Sequence, residues 1–249
     1  MAMGVMHAAG DQLQAFRDGD GEGSIVFDAA RLRQATRETF DPHAYGDAAQ
    51  PVRDRGGRGA AWFVDGEFGA GVLRQYRRGG WAARASRDGY LWQGEARVRS
   101  LREFALLRRL QAFGLPVPAP IAAYYLRRGW RYRAAILLER IVGARSLVEA
   151  VNAADAPWAT VGAAIALCHR DGAHHADLNA NNILLDREDG AWIIDWDRGR
   201  IEAGGGAWQE RVLERLQRSL VKECATVPAT RLEEGMAQLR RAHAAGLRA

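Results

Sequence analysis

The chain has 249 residues, 48% of them hydrophobic, and a formal net charge of +5 with a pI near 9.7. That apolar content excludes a disordered chain, and no apolar run is long enough to span a bilayer. Cys168 and Cys224 are too few for a disulfide framework or a zinc site, and the length suits one domain or two small lobes.

The first residues, Met-Ala-Met-Gly-Val-Met-His, lack the charged and long apolar regions of a secretory signal, so a cytoplasmic protein is expected. Residues 1–50 are weakly patterned. Gly19–Gly23 reads as a flexible acidic turn and Asp28–Thr39 as a short helix. Pro51–Gly59 is rich in Arg and Gly. Its Gly56, Gly57 and Gly59 either let backbone N–H groups approach phosphates or form an ordinary loop. Ala60–Val64, the Asp65-Gly66 turn and Gly71–Tyr76 read as a hairpin. Strand alternation sets Arg74 and Tyr76 on one face and Arg77 on the other. Arg77, Arg78, Arg84 and Arg87 flank Gly79-Gly80-Trp81, a mixture that suits an anionic sugar, a lipid surface or a solvated face.

Arg97–Gly114 is an amphipathic helix, with Leu101, Phe104, Leu107 and Leu110 at helical spacing, ended by Gly114-Leu-Pro-Val-Pro-Ala-Pro120. Strands follow at Ile121–Leu126 and Tyr132–Leu138, then a hinge at Glu139–Gly143. Helices follow at Ser146–Asn152, Ala159–Arg170, Trp208–Cys224 and Arg231–Ala245. Strands first and helices after predict an α+β, two-lobed plan, with a β-rich lobe over 1–138 and a helical lobe over 139–249.

Between the second and third of those helices lies His175-Ala-Asp-Leu-Asn-Ala-Asn-Asn182. It has the H-x-D-x-x-x-x-N layout of a phosphoryl-transfer loop. Ile-Leu-Leu-Asp, Arg-Glu-Asp-Gly and Ala-Trp-Ile-Ile then read as strand, turn and strand, a hairpin that brings Asp195 back beside Asn182. Asp177 is spaced to take a proton from an attacking hydroxyl, and Asn182 and Asp195 to share a hard cation such as Mg²⁺. His175 either braces this loop or acts as a base; bracing is the commoner role at that position. His174 and His169 are expected to carry no chemistry. Only Lys222 is a lysine; the other basic residues among the 35 are arginines. The basic surplus favours acidic partners, while no nucleic-acid-binding module is recognisable, so no nucleic-acid partner is expected.

Five segments together resemble the lipopolysaccharide-core sugar kinases of the protein-kinase-like superfamily, and among them the 3-deoxy-D-manno-octulosonic acid (Kdo) kinases. They are Val72–Gly80, Glu103–Leu107, Gly114–Pro120, His175–Leu184 and Ile194–Gly199. The resemblance implies a protein-kinase-like fold and ATP-dependent transfer of a phosphoryl group to a hydroxyl of Kdo on a lipid A precursor. It implies a protein peripheral on the cytoplasmic, anionic face of the inner membrane. It makes Asp177 the catalytic base and Asn182 and Asp195 the Mg²⁺ ligands. Arg74 would grip the phosphates with Glu103 as its helix partner, and Gly57 and Gly59 would approach them. Glu139 and Ile141 would supply hinge backbone groups to adenine. Arg74 stands where protein kinases use lysine, with Arg77 or Arg78 as alternatives, and Glu95 competes with Glu103 for the pairing. Asp197 stands where a glycine is usual, either as a further metal ligand or paired with an arginine. The Ala-Pro-Glu segment of protein kinases is missing. The rivals are a kinase for another acceptor (a core heptose, a small molecule or a protein) and a nucleotide-binding pseudokinase.

Overall fold

The computed structural model describes residues 10–52, 61–76 and 89–249, and its chain divides into two compact units. The first comprises residues 1–108 and 119–140, the second residues 109–118 and 141–249.

The first unit is built on an eight-stranded sheet in which every pairing is antiparallel. Its strands are β1 (Asp11–Asp18), β2 (Gly21–Asp28), β3 (Gln50–Pro51), β4 (Ala61–Gly66), β5 (Gly69–Gln75), β6 (Tyr90–Leu91), β7 (Pro120–Arg128) and β8 (Arg131–Glu139). They run in the order β1-β2-β7-β8-β5-β4-β3, with β6 also on β8. The central strands are apolar on both faces, as Ile25-Val26-Phe27 and Ala134–Leu138 illustrate, because both faces are covered. Phe27, Leu73, Ile121 and Leu137 form the middle of this core.

The expected hairpin at Ala61–Gln75 is β4–β5, with Arg74 opposite Ile136 of β8. The turn expected over Gly19–Gly23 is shorter than that: Gly19 and Asp20 make the turn, while Gly21–Gly23 already belong to β2, which pairs residue for residue with β1. One expectation in the first 50 residues fails, because no helix forms over Asp28–Thr39. The Asp28 carboxylate accepts the Ala30 N–H (3.0 Å) and its carbonyl accepts the Leu32 N–H (3.0 Å), closing a turn in place of a helix. The chain then makes 3₁₀ turns at Arg37–Phe40, which buries Phe40, and at Pro42–Ala48.

Helix α1 (Arg99–Ala112) buries Leu101, Phe104, Leu107 and Leu110 along one stripe, and Glu103 beside them. Ser100 Oγ donates to the Tyr124 carbonyl of β7 (2.9 Å), tying the helix start to the sheet. The helix stops at Gly114, whose φ of 71° is the left-handed value that favours glycine. Leu115 N–H closes back on the Leu110 carbonyl at 3.1 Å.

The second unit holds helices α2 (Leu147–Asn152), α3 (Trp158–Arg170), α4 (Ala207–Glu223) and α5 (Ala229–Gly246). Its short strands are β9 (Arg145–Ser146), β10 (Ala173–His174), β11 (Ile183–Leu185), β12 (Ala191–Ile193) and β13 (Arg200–Ile201). Ser146 and Glu149 form a reciprocal capping box on α2. Helices α3 and α5 approach so closely that a Cβ at Gly162 would lie 2.2 Å from the Leu239 carbonyl oxygen. Cys168 and Cys224 are both buried and neither forms a disulfide.

Candidate active site

The catalytic-loop motif lies in the second unit between β10 and β11. His175 is 4% exposed and spends both ring nitrogens on backbone. Nε2 lies 2.9 Å from the Ile194 carbonyl, and Nδ1 accepts the Asp177 N–H at 3.3 Å. A nitrogen facing a carbonyl must carry the hydrogen, so the ring is the neutral Nε2–H tautomer. Burial holds its pKa below the ordinary histidine value. Its ring meets Trp196 edge to face (4.8 Å, 69°), and Trp196 Nε1 donates to the Ile193 carbonyl (2.9 Å).

The loop is wound on the Asp177 carbonyl. It accepts the side-chain amides of Asn179 (3.2 Å) and Asn182 (3.1 Å). Asn182 therefore uses its amide nitrogen internally, so its Oδ1 is the atom that could face a metal. Leu178 and Ala180 are buried beneath the loop. The expected hairpin is present, with β11 and β12 paired antiparallel so that Ile183 faces Ile193. Ile194 N–H donates to the Asn182 carbonyl (3.0 Å), which sets Asp195 next in line beside Asn182. The turn is held by Asp186, which accepts the N–H groups of Glu188 (2.9 Å) and Gly190 (2.8 Å) and the Trp192 indole (2.9 Å). The Trp192 bond is the largest of the effects that hold the Asp186 carboxyl below the usual range. Asp195 has φ 65°, a left-handed conformation that aspartate tolerates better than most residues and that recurs at functional sites. Asp197 is half-buried in the turn closed by Gly199 N–H on the Trp196 carbonyl (2.8 Å).

Sequence reasoning missed one residue here. The Arg215 guanidinium of α4 donates through Nη2 to Oδ1 of Asp177. One helical turn further on, Ser219 Oγ accepts the Ala180 N–H (3.0 Å), so α4 grips the loop at two points. The only signal in the sequence is an Arg and a Ser four apart on an amphipathic helix, which describes many surface helices.

In the first unit, Arg74 of β5 forms an ion pair with Glu103 of α1 through Nη2 and Oε2. Tyr76 donates its hydroxyl to the same carboxylate oxygen. The Arg74 guanidinium lies over the Tyr76 ring at 5.2 Å, and that of Arg99 at 5.5 Å. Burial first, and then the Glu103 charge, push the Tyr76 hydroxyl well above its ordinary pKa, so it stays a donor. Glu95 has other partners, accepting the Ser24 hydroxyl (2.5 Å) and the Tyr125 hydroxyl (3.2 Å).

Glu139 closes β8. Its N–H donates to the Ala119 carbonyl (2.8 Å) and its carboxylate lies 3.3 Å from Arg31. Ile141 accepts the Ala144 N–H (3.3 Å). Gly56, Gly57, Gly59, Arg77, Arg78, Arg84 and Arg87 lie outside the described residues. His169 and His174 have partners other than the loop's polar atoms. His169 Nδ1 lies 2.9 Å from His243 Nε2, and His174 stacks on Trp208 and meets Glu202 at 3.2 Å.

A carboxylate and an amide oxygen on one short loop, with another carboxylate just past the strand that follows, is the layout used by kinase-like phosphotransferases. Residues 43–241 match the family described as lipopolysaccharide kinase (Kdo/WaaP). A protein of Stenotrophomonas maltophilia named 3-deoxy-D-manno-octulosonic acid kinase is 52% identical over 241 residues, 96% of each chain. Proteins of the same name from Xanthomonas campestris pv. campestris and Xanthomonas oryzae pv. oryzae are 54% and 53% identical over 220 residues, 88% of each chain. The chain belongs to the lipopolysaccharide kinase (Kdo/WaaP) family. It is accordingly an ATP-dependent kinase with a sugar hydroxyl as acceptor.

Proposed function

We propose that this protein transfers the γ-phosphoryl group of ATP to a hydroxyl of Kdo carried on a lipid A precursor. A kinase acting on Kdo in lipopolysaccharide-core biosynthesis follows from the family match and from relatives that bear that name at about half identity over nearly the whole chain. The observation that carries the mechanism is the loop itself, wound on the backbone of Asp177 with its carboxylate outward.

In this reading Asp177 accepts the proton of the attacking Kdo hydroxyl, whose oxygen bonds to the γ-phosphorus as ADP leaves. His175 does not exchange protons, because both its nitrogens are held by backbone; it braces the loop. The donors on offer for a metal, the Asn182 amide oxygen and the Asp195 carboxylate with Asp197 as a further candidate, are hard oxygens that suit Mg²⁺. Mg²⁺ is commonly held by one or two carboxylates plus substrate phosphates. Bound there, Mg²⁺ would neutralise charge on the triphosphate. Arg74, held by Glu103, is assigned to the phosphates, and the backbone from Glu139 to Ile141 to adenine.

The division into a β-rich lobe over 1–138 and a helical lobe over 139–249, as in protein kinases, belongs to the same proposal. So does a peripheral position on the inner membrane. No helix among the described residues is long and apolar enough to cross a membrane, and the charge of +5 favours an anionic surface. Such attraction decays over about 10 Å at 0.1 M salt. Vesicle co-sedimentation should therefore occur with anionic lipid at low salt and fade as salt rises.

The direct assay incubates the protein with ATP, Mg²⁺ and a Kdo-bearing lipid A precursor and weighs the product. A gain of one phosphoryl group on Kdo is expected. ATP turnover with no phosphate on Kdo would make the acceptor wrong.

A further inference from the structure

The acceptor named by the relatives is an acid, and a carboxyl group is ionised at neutral pH. For Asp177 to take the hydroxyl proton, the sugar must come within about 3 Å of its carboxylate, which brings a second anion close to the first. Among the described residues, the cation paired with Asp177 is Arg215. The Arg215 and Asp177 side chains are 47% and 37% exposed, and an ion pair this open adds little to folding stability, at most about 1 kcal/mol. Its position is therefore better explained by what it presents to a substrate. A guanidinium carries five N–H donors in a planar fork matched to carboxylates, and the contact with Asp177 engages one terminal nitrogen. Ser219 fixes the same helix to the loop at Ala180 (3.0 Å), so the fork is held in register with the loop. Arg211, one turn earlier and exposed, extends the positive face. Glu214, the acidic neighbour on the helix, lies 3.9 Å from Arg218.

We infer that Arg215 is a carboxylate subsite: it holds the carboxylate of the Kdo residue being phosphorylated while it orients Asp177. This rests on the reading of Asp177 as the base. The subsite makes the enzyme selective for an acidic sugar over a neutral one of the same shape.

The test compares two acceptors, the Kdo-bearing lipid A precursor and the same molecule with the Kdo carboxyl reduced to the alcohol, in wild type, Arg215→Gln and Arg215→Lys. Wild type should prefer the acid in kcat/KM by about tenfold or more, the range for a charged hydrogen bond. Arg215→Gln should lose that preference through the acceptor KM, with the ATP KM unchanged, and Arg215→Lys should keep part of it. A residue that only braced Asp177 would lower kcat for both acceptors alike and leave the preference intact. An unchanged preference in Arg215→Gln, or none in wild type, overturns the subsite. Failure of the base reading shows separately, as near-normal turnover in Asp177→Asn.

Discussion

Two arginine–carboxylate pairs stand at the candidate functional positions, one in each unit, and they differ in their surroundings. Glu103 is fully buried and Arg74 is 22% exposed, whereas Asp177 and Arg215 are 37% and 47% exposed. A buried carboxylate is tolerable only while its partner stays, because the lone charge cannot be rehydrated. An exposed pair loses little when cut, since water replaces the partner. The same chemistry therefore serves two ends. Arg74–Glu103, with Tyr76 on the same oxygen, is a piece of the fold that also presents a cation. Asp177–Arg215 is open to solvent, as the proposed substrate role requires.

Cutting the buried pair is the strongest way to break this contrast. Arg74→Ala should cost about 3–5 kcal/mol of stability by leaving Glu103 charged and buried, with activity lost besides. Arg74→Lys, which keeps the charge without the fork, should recover most of the stability and some activity. Denaturant unfolding of the two variants measures it; equal stability in both would mean Glu103 does not need the cation. Arg215→Gln sharpens the other side. Its unfolding free energy should stay within about 1 kcal/mol of wild type, and a loss comparable to that of Arg74→Ala would remove the distinction.

A smaller effect concerns pH. Burial, and then the neighbouring His243, lower His169 to about 3, and burial lowers His243 as well. Both are neutral in the folded protein and titrate near 6.5 when unfolded, so the unfolded chain binds more protons in acid. Their contribution is complete above about pH 6.5 and is lost as pH falls towards 3. The denaturant midpoint should drop between about pH 7 and pH 5, and His243→Gln should flatten that slope. A wild-type midpoint indifferent to this range would contradict the burial of the pair.

The parts of the molecule legible in the sequence are those specified locally. The Asp186–Gly190 turn carries its own hydrogen-bonding side chain, so the hairpin that aligns Asn182 and Asp195 could be read residue by residue. The stripe of α1 and the Gly114 stop are equally local. What escaped depends on distant partners. β2 is a strand because Ile25 and Phe27 are buried between β1 and β7, whose residues lie about a hundred positions on, while β1 itself is mostly exposed and carries a weak pattern. The helix expected at Asp28–Thr39 loses to the Asp28 turn and to burial of Leu32, Ala35 and Phe40 in the sheet core. Arg215 reaches Asp177 from 38 residues away, and no spacing rule links them.

The proposed mechanism turns on Asp177, whose backbone winds the loop while its carboxylate is assigned the role of base. Asp177→Asn, assayed for phosphate transfer from ATP to the Kdo acceptor alongside thermal unfolding and nucleotide binding, tests that directly. Turnover should fall by about 10²–10⁴, with unfolding and nucleotide affinity at wild-type levels. Near-normal turnover in a well-folded Asp177→Asn protein would contradict it.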